Sequence, residues 1–475
     1  MPRPSRHPRL FAALGQTLLL ILLYRDLEVP LPLRLISLAL FALSCWWRAD
    51  TGLALVAFTT PLYLIPVSLS GILAHEIHFP LHELALLALF PMAAGRWLLE
   101  FMRQPGALRL RPYLPQLLFL IAGVLGVMLA LPTARGEALR EFRWLIVEPL
   151  LFYVLLQRYA SFDDPIPPVL WGLSLAAAGV AFLGIMQFMQ LDLVPLLGWR
   201  RAFSESVVAI GGVRRVASVY GHPNNLGLFL ERCWPLAFSA AFLVFKQHKP
   251  WQTFMLGGCT CLALVGLILS FSRGAWLGSL LAAIVLALGF LSRSRASLNH
   301  PTATLPGTAP KAWLLGLGVL ATIGVLAALE LRGGSGSESA RLLLWREALG
   351  YIAQHPFGIG LDQFYSYHRP DSGISLIQPA LLGSSDEFAS HPHNLLLDIW
   401  LRLGPAGLLA FGWLLLRFFR SMRLHWPAPL MVGCLATMLA ALIHGLVDHF
   451  YFVPDLAFVF WIVIAYIEQP RSIID

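Results

Sequence analysis

Apolar windows recur along almost the whole chain, and that recurrence limits the fold more than any motif does. They lie near 10–24, 31–47, 52–73, 81–99, 113–131, 142–158, 168–190, 226–245, 252–270, 275–292, 312–330, 395–416, 427–447 and 455–468. A bilayer asks for about 20 apolar residues per helix, and several windows are shorter, so roughly 12–14 spans are expected. Composition agrees, with 57% apolar and only 13% charged residues, where a soluble domain carries roughly 25% charge. The expected fold class is all-α polytopic membrane protein with one large extracytoplasmic loop. A soluble core would have to bury long apolar runs that lack helical amphipathicity. Nucleic acid is excluded as a partner, because no soluble basic domain exists to hold it.

The chain divides by pattern into N-terminal helices (1–190), central helices with an Arg-containing outer loop (191–330), a large loop (331–394) and C-terminal helices (395–475). Arg3, Arg6 and Arg9 precede the first window, but Arg25-Asp26-Leu27-Glu28 follows it in place of a small-residue cleavage site, so it reads as a retained span. The net charge of +8 is first a topology signal. With the N-terminus inside, the inner loops collect Arg48, Arg96, Arg103, Arg158, Lys246, Lys249, Arg293 and Arg417, and both termini are expected to be cytoplasmic. The outer loops still keep Arg135, Arg140, Arg143, Arg214, Arg215, Arg273, Arg341, Arg346 and Arg369. Positive charge held against the topology rule points to an anionic substrate on the outer face, with arginines solvated at a headgroup surface as the plain alternative.

All five cysteines, Cys45, Cys233, Cys259, Cys261 and Cys434, fall inside apolar windows, which supports neither a disulfide framework nor a thiolate zinc site. In the large loop, Ser335 and Glu338 have capping-box spacing, and Leu342, Leu343, Trp345, Leu349 and Ile352 follow at helical intervals. The expectation is an amphipathic helix on the outer membrane surface, stopped at His355-Pro356-Phe357-Gly358-Ile359-Gly360.

Three stretches carry chemistry. The outer loop containing Arg214 and Arg215 runs through His222-Pro223-Asn224-Asn225 into a span, and a guanidinium fork matches phosphate oxygens. Arg341 near a helix start offers a second anion site, although Glu338 could hold it in a structural pair. Ser390-His391-Pro392-His393-Asn394 opens an apolar window, with Ser390 as the expected cap. An imidazole titrates near neutrality, so His393 is a candidate base for an acceptor hydroxyl. His391 and His393 with His355, His368, Asp386 or Glu387 are an alternative metal set, and capping or carbonyl bonding is the structural alternative. Glu148 and the group His444, Asp448 and His449 are ionisable residues at membrane depth or its edge; solvation at a span's outer end is the simpler reading of the latter.

His393-Asn394, nine residues, Gly404, two residues, Gly407 resembles the His-Asn-x9-Gly-x-x-Gly signature of the O-antigen ligase and O-antigen polymerase superfamily. The order of Pro223-Asn224, Ser272-Arg273-Gly274-Ala275-Trp276, Arg341 with Trp345, and the His355–Gly360 turn resembles it too, over roughly 200–420. The resemblance implies a GT-C-like fold in the bacterial inner membrane. It implies glycan transfer, metal-independent, cofactor-free and inverting, from undecaprenyl diphosphate to a lipid or glycan acceptor on the extracytoplasmic face, as in lipopolysaccharide or polysaccharide biosynthesis. By the same carry-over His393, Arg215 and Arg341 are the expected catalytic residues, Arg214, Asn224, His391 and Asn394 the expected substrate-binding residues, and Gly404 with Gly407 the site of close helix packing. Polysaccharide polymerase is the alternative within the family. A transporter or flippase of anionic lipids is the alternative of another class, and a non-catalytic scaffold a third.

Overall fold

The computed structural model describes residues 6–23, 29–68, 78–103, 113–197, 214–298, 336–425 and 428–469. Helices occupy thirteen of the expected windows, and the window 312–330 lies outside the described residues. The protein is an all-α polytopic membrane protein. Among the described residues five helices are long and apolar enough to cross a bilayer, and a bent pair, Leu114–Leu129 with Pro132–Tyr159, makes a sixth if counted as one span. The expected 12–14 spans included windows whose helices are shorter than this. The window 52–73 is one of them. Helix α3 (Ala49–Thr59) stops at a 3-10 turn, Thr60–Leu62, and Pro66–Ser68 then pairs antiparallel with His78–Pro80.

In chain order the helices are α1 (Arg6–Ile21), α2 (Leu31–Trp47), α3, α4 (Leu81–Arg103), α5 (Leu114–Leu129), α6 (Arg135–Glu141), α7 (Glu148–Tyr159), α8 (Pro168–Phe188), α9 (Pro223–Lys246), α10 (Pro250–Leu269) and α11 (Arg273–Leu298). After them come α12 (Gly336–Gln354), α13 (Phe364–His368), α14 (Leu395–His425), α15 (Pro429–Gly445) and α16 (Pro454–Glu468). α9 and α16 form the axis of the bundle. Both are buried on nearly every face, as a helix is when neighbours replace lipid, and α9 carries Glu231 and Arg232 inside that burial. α10, by contrast, buries only a third of its apolar window and offers the rest to lipid.

One hydrophobic core runs from Leu20 to Ile467 through the bundle helices other than α12 and α13. The large loop has a core of its own, in which Leu344, Ala348 and Tyr351 of α12 pack on Ile359, Phe364 and Leu401. Leu342 and Leu349 of the apolar stripe are exposed on the other face of α12. Its interior is pinned by polar groups: His368 Nδ1 lies 2.9 Å from Glu347 Oε1, and His368 Nε2 2.9 Å from the Asp386 carbonyl. The capping-box residue Ser335 lies outside the described residues.

The loop and the bundle meet at a kink in α14. Gly404 takes a left-handed φ of 65°, and Pro405 follows without an N–H, leaving the Leu401 carbonyl without its helical donor. Ile359 and Gly360 supply the replacement, their N–H groups donating to that carbonyl at 2.7 and 3.1 Å. A Cβ at Gly404 would sit 2.4 Å from the Phe357 carbonyl oxygen. Gly404 therefore permits a backbone break and a loop contact rather than close packing of two helices.

Candidate functional site

The histidine motif lies where α14 begins. Asn394, not Ser390, caps the helix: its Oδ1 accepts from Leu396 and Leu397 N–H at 3.0 and 3.2 Å, while its Nδ2 donates to the Leu446 carbonyl at 3.0 Å. Three bonds engage this side chain and stitch the motif to the segment after α15. Immediately before it, His393 holds φ at 50°, a left-handed conformation that is costly for a β-carbon-bearing residue and marks a backbone fixed by its surroundings. Trp345 of α12 helps to fix it, its Nε1 donating to the His393 carbonyl at 3.3 Å.

Asp448 is the hub. His393 Nδ1 lies 3.3 Å from Asp448 Oδ1, the His449 N–H donates to the same oxygen at 2.8 Å, and Asn224 Nδ2 donates to Asp448 Oδ2 at 3.2 Å. Asn224 in turn accepts on Oδ1 from Arg215 Nη2 at 2.7 Å, and Arg215 Nε donates to the Ser270 carbonyl at 3.1 Å. A continuous chain thus joins two expected site residues, Arg215 and His393, through a third, Asn224, and through a carboxylate that was expected to be solvated. Asp448 is 3% exposed and His444 is 2% exposed, so solvation does not account for them. They are held instead from α9: His444 Nδ1 lies 2.9 Å from buried Glu231 Oε2, and Arg232 donates to the carbonyls of Phe450 and His449 at 2.7 and 3.3 Å.

Two glycines of α11 make room for this. A Cβ on Gly274 would come within 2.3 Å of His444 Nε2, and one on Gly278 within 2.7 Å of Glu231 Oε2. The spacing of four puts both on one helix face, where small residues admit close neighbours.

His391 sits behind His393. Its ring stacks on His449 with centroids 3.4 Å apart and lies 4.0 Å from the His393 ring, and it is 8% exposed. Burial holds its imidazole down at about 4, and the same cause puts His449 well below the ordinary histidine value. Both are therefore neutral around pH 7. Burial would raise the Asp448 carboxyl, but the imidazoles of His391 and His393 outweigh it and hold the group well below the usual carboxylate range. Burial and the nearby Arg273 lower the Arg215 guanidinium. His222 is exposed, and its Nδ1 accepts from the Asn224 N–H at the start of α9.

Of the remaining expected residues, Arg214 is half-buried next to Arg215 in sequence, and Arg341 is half-buried on α12, one turn before Trp345 and so on the face that reaches the motif. His355 is exposed against Tyr367, and His368 is committed to Glu347; neither joins the cluster. His391, His393 and Asp448 do offer ligand atoms within 4.8 Å of one another, a spacing open to a divalent cation. Glu148 is buried elsewhere, with Arg143 Nε 3.4 Å from its Oε1 and 3.2 Å from Glu83 Oε1.

Residues 258–412 match the family model described as O-antigen ligase. This third of the chain is similar to the O-antigen ligase family. The matched residues include Arg273, Arg341, His391, His393, Asn394, Gly404 and Gly407. Arg215, Asn224, His444 and Asp448, which complete the network, lie outside the matched residues, at the start of α9 and at the end of α15 and just after it. No curated protein matches the chain. The sequence signal for the missed residues was present in part: His444 and Asp448 have the spacing of one helical turn inside an apolar region, which favours a paired role over solvation.

Proposed function

We propose that this O-antigen ligase family protein transfers a glycan from an undecaprenyl diphosphate carrier to an acceptor hydroxyl at the extracytoplasmic face of the bacterial inner membrane. The observation that carries the reading is the chain Arg215, Asn224, Asp448, His393, which couples a cationic group suited to a diphosphate with a base suited to a hydroxyl.

His393 has one ring nitrogen on the Asp448 carboxylate. With the proton on Nδ1 directed at that carboxylate, Nε2 carries the lone pair and is the atom that takes the acceptor proton. The acceptor oxygen then attacks the anomeric carbon, and the bond from that carbon to the diphosphate oxygen breaks on the opposite side, inverting the centre. The imidazolium formed on His393 is stabilised by Asp448, which needs no proton of its own to do so. Arg215 and Arg341 neutralise the charge that builds on the departing diphosphate, in place of a metal ion. Arg214 adds charge at the same mouth. His391 acts as a neutral wall that positions His393, and Asn394 fixes the start of α14. The preformed, strained His393 backbone suits this role, because orientation set before binding lowers the barrier.

The experiment is glycan transfer by purified protein between a defined polyprenyl diphosphate-linked oligosaccharide and a hydroxyl acceptor, with and without EDTA. Transfer insensitive to EDTA is expected. Loss of transfer on chelation, restored by a divalent cation, assigns His391, His393 and Asp448 to a metal instead.

A further inference from the structure

Glu231 and Arg232 are adjacent charged residues inside a membrane helix. They stand on α9 about 12 Å from its start at 1.5 Å per residue, and both are buried. Ionisable side chains are rare at such positions, and a buried ion pair is often no better for stability than apolar residues of similar size. Stability is therefore a weak reason for α9 to carry them.

Their contacts converge on one turn. Among the described residues, and apart from the 3.9 Å approach of Arg232 Nε to Glu231 Oε1, the polar partners of both side chains lie within residues 444–450. Glu231 Oε2 holds His444 by Nδ1 at 2.9 Å, and the other ring nitrogen, Nε2, faces Asp448 Oδ2 at 3.9 Å. Arg232 donates to the carbonyls of Phe450 and His449 at 2.7 and 3.3 Å, with its guanidinium 5.2 Å from the centroid of the Phe450 ring. His449 passes that hold on, since its own N–H donates to Asp448 Oδ1 at 2.8 Å. Residues 446–453 are neither helix nor strand, so no regular backbone ladder fixes them. The two α9 side chains grip the turn on both sides of Asp448, at 444 before it and at 449 and 450 after it.

On the roles proposed above for His393 and Asp448, we infer that Glu231 and Arg232 are positioning residues of the transfer reaction. From α9 they fix the turn that carries Asp448, and with it the carboxylate bonded to His393. Neither touches a reacting atom. Their loss misplaces the base and leaves the diphosphate contacts intact, so turnover falls more than donor affinity.

The test is the transfer assay with Glu231→Gln and Arg232→Lys, each purified beside wild type and beside Gly433→Ala. Glu231→Gln keeps the shape without the charge, and Arg232→Lys keeps the charge without a fork that spans two carbonyls. Gly433→Ala strains the contact of α15 with α9 away from the turn, its added methyl 2.6 Å from Ser239 Oγ. In both α9 variants kcat is expected to fall about 10–100-fold with the donor KM within about 3-fold of wild type. Gly433→Ala is expected to lower Tm and keep kcat. In an Asp448→Asn background, Glu231→Gln is expected to remove no more than about 3-fold of the remaining rate. Wild-type kcat in both α9 variants, a rise in KM in place of the fall in kcat, or a kcat in Gly433→Ala that falls with its Tm overturns the inference. If Arg232→Lys fails to insert, Glu231→Gln decides it. Wild-type turnover by His393→Ala or Asp448→Asn overturns the proposed reaction and this role together; loss of transfer in those two with full kcat in Glu231→Gln overturns the positioning role alone.

Discussion

His393 Nδ1 and Asp448 Oδ1 stand 3.3 Å apart across 55 residues of sequence, joining the start of α14 to the segment that follows α15. In the proposed reaction this pair sets the tautomer of the base and holds its charge after proton transfer. Asp448→Asn keeps the shape but loses the charge and can present a donor where an acceptor is needed. We expect the transfer rate to fall by about 10²–10⁴-fold with membrane insertion intact. A rate within a few-fold of wild type removes Asp448 from the mechanism.

Asn224 bridges Arg215 to Asp448, and a hydrogen bond to a charged group is worth about 1.5–3 kcal/mol. Asn224→Ala is therefore expected to lower kcat/KM by roughly 10–100-fold. Asn224→Asp places a second carboxylate against Asp448 and should be worse than the alanine variant. The reverse order in the transfer assay counts against the bridge.

Two glycines test the packing around the site. Gly274→Ala brings a methyl to within 2.3 Å of His444 Nε2, and Gly404→Ala puts one 2.4 Å from the Phe357 carbonyl at a left-handed φ. Each is expected to cost about 1–3 kcal/mol, read as a lower Tm. Gly412→Ala, with nothing within 4 Å of the added methyl, should leave Tm unchanged or raise it.

His368 provides a pH signature away from the histidine cluster. Burial alone would lower its imidazole, but the Glu347 carboxylate more than reverses this and raises it above the ordinary value. A raised folded-state value means that the stabilisation is complete below the unfolded value of about 6.5 and is lost as pH rises through the folded one. The Tm gap between wild type and His368→Gln should accordingly be widest in mild acid and narrow as the buffer is made alkaline. A gap that widens with pH contradicts the pairing.

Much of the fold was legible because long apolar runs have few alternatives to helices in a bilayer. The window 52–73 misled because Pro61 sits where the helix ends and Pro66 opens a strand, and hydropathy does not register a missing N–H. Half the site was legible too: the histidine motif and the outer arginines stand in polar loops, where their residue types are conspicuous. Asp448 was not, because its place depends on a helix from more than 200 residues earlier: Asn224 bonds it directly, while Glu231 holds His444 and Arg232 holds the carbonyls of Phe450 and His449 beside it. Pro392 favours a first helical turn and so makes Ser390 the cap that the sequence suggests; the left-handed turn at His393 delays the helix start to Leu395.

The most direct measurement of the central claim is transfer by His393→Ala, purified and reconstituted beside wild type with the same polyprenyl diphosphate-linked donor and hydroxyl acceptor. The account predicts product from wild type and none above background from the variant, with equal insertion and a Tm within a few degrees. Wild-type turnover by His393→Ala would contradict it.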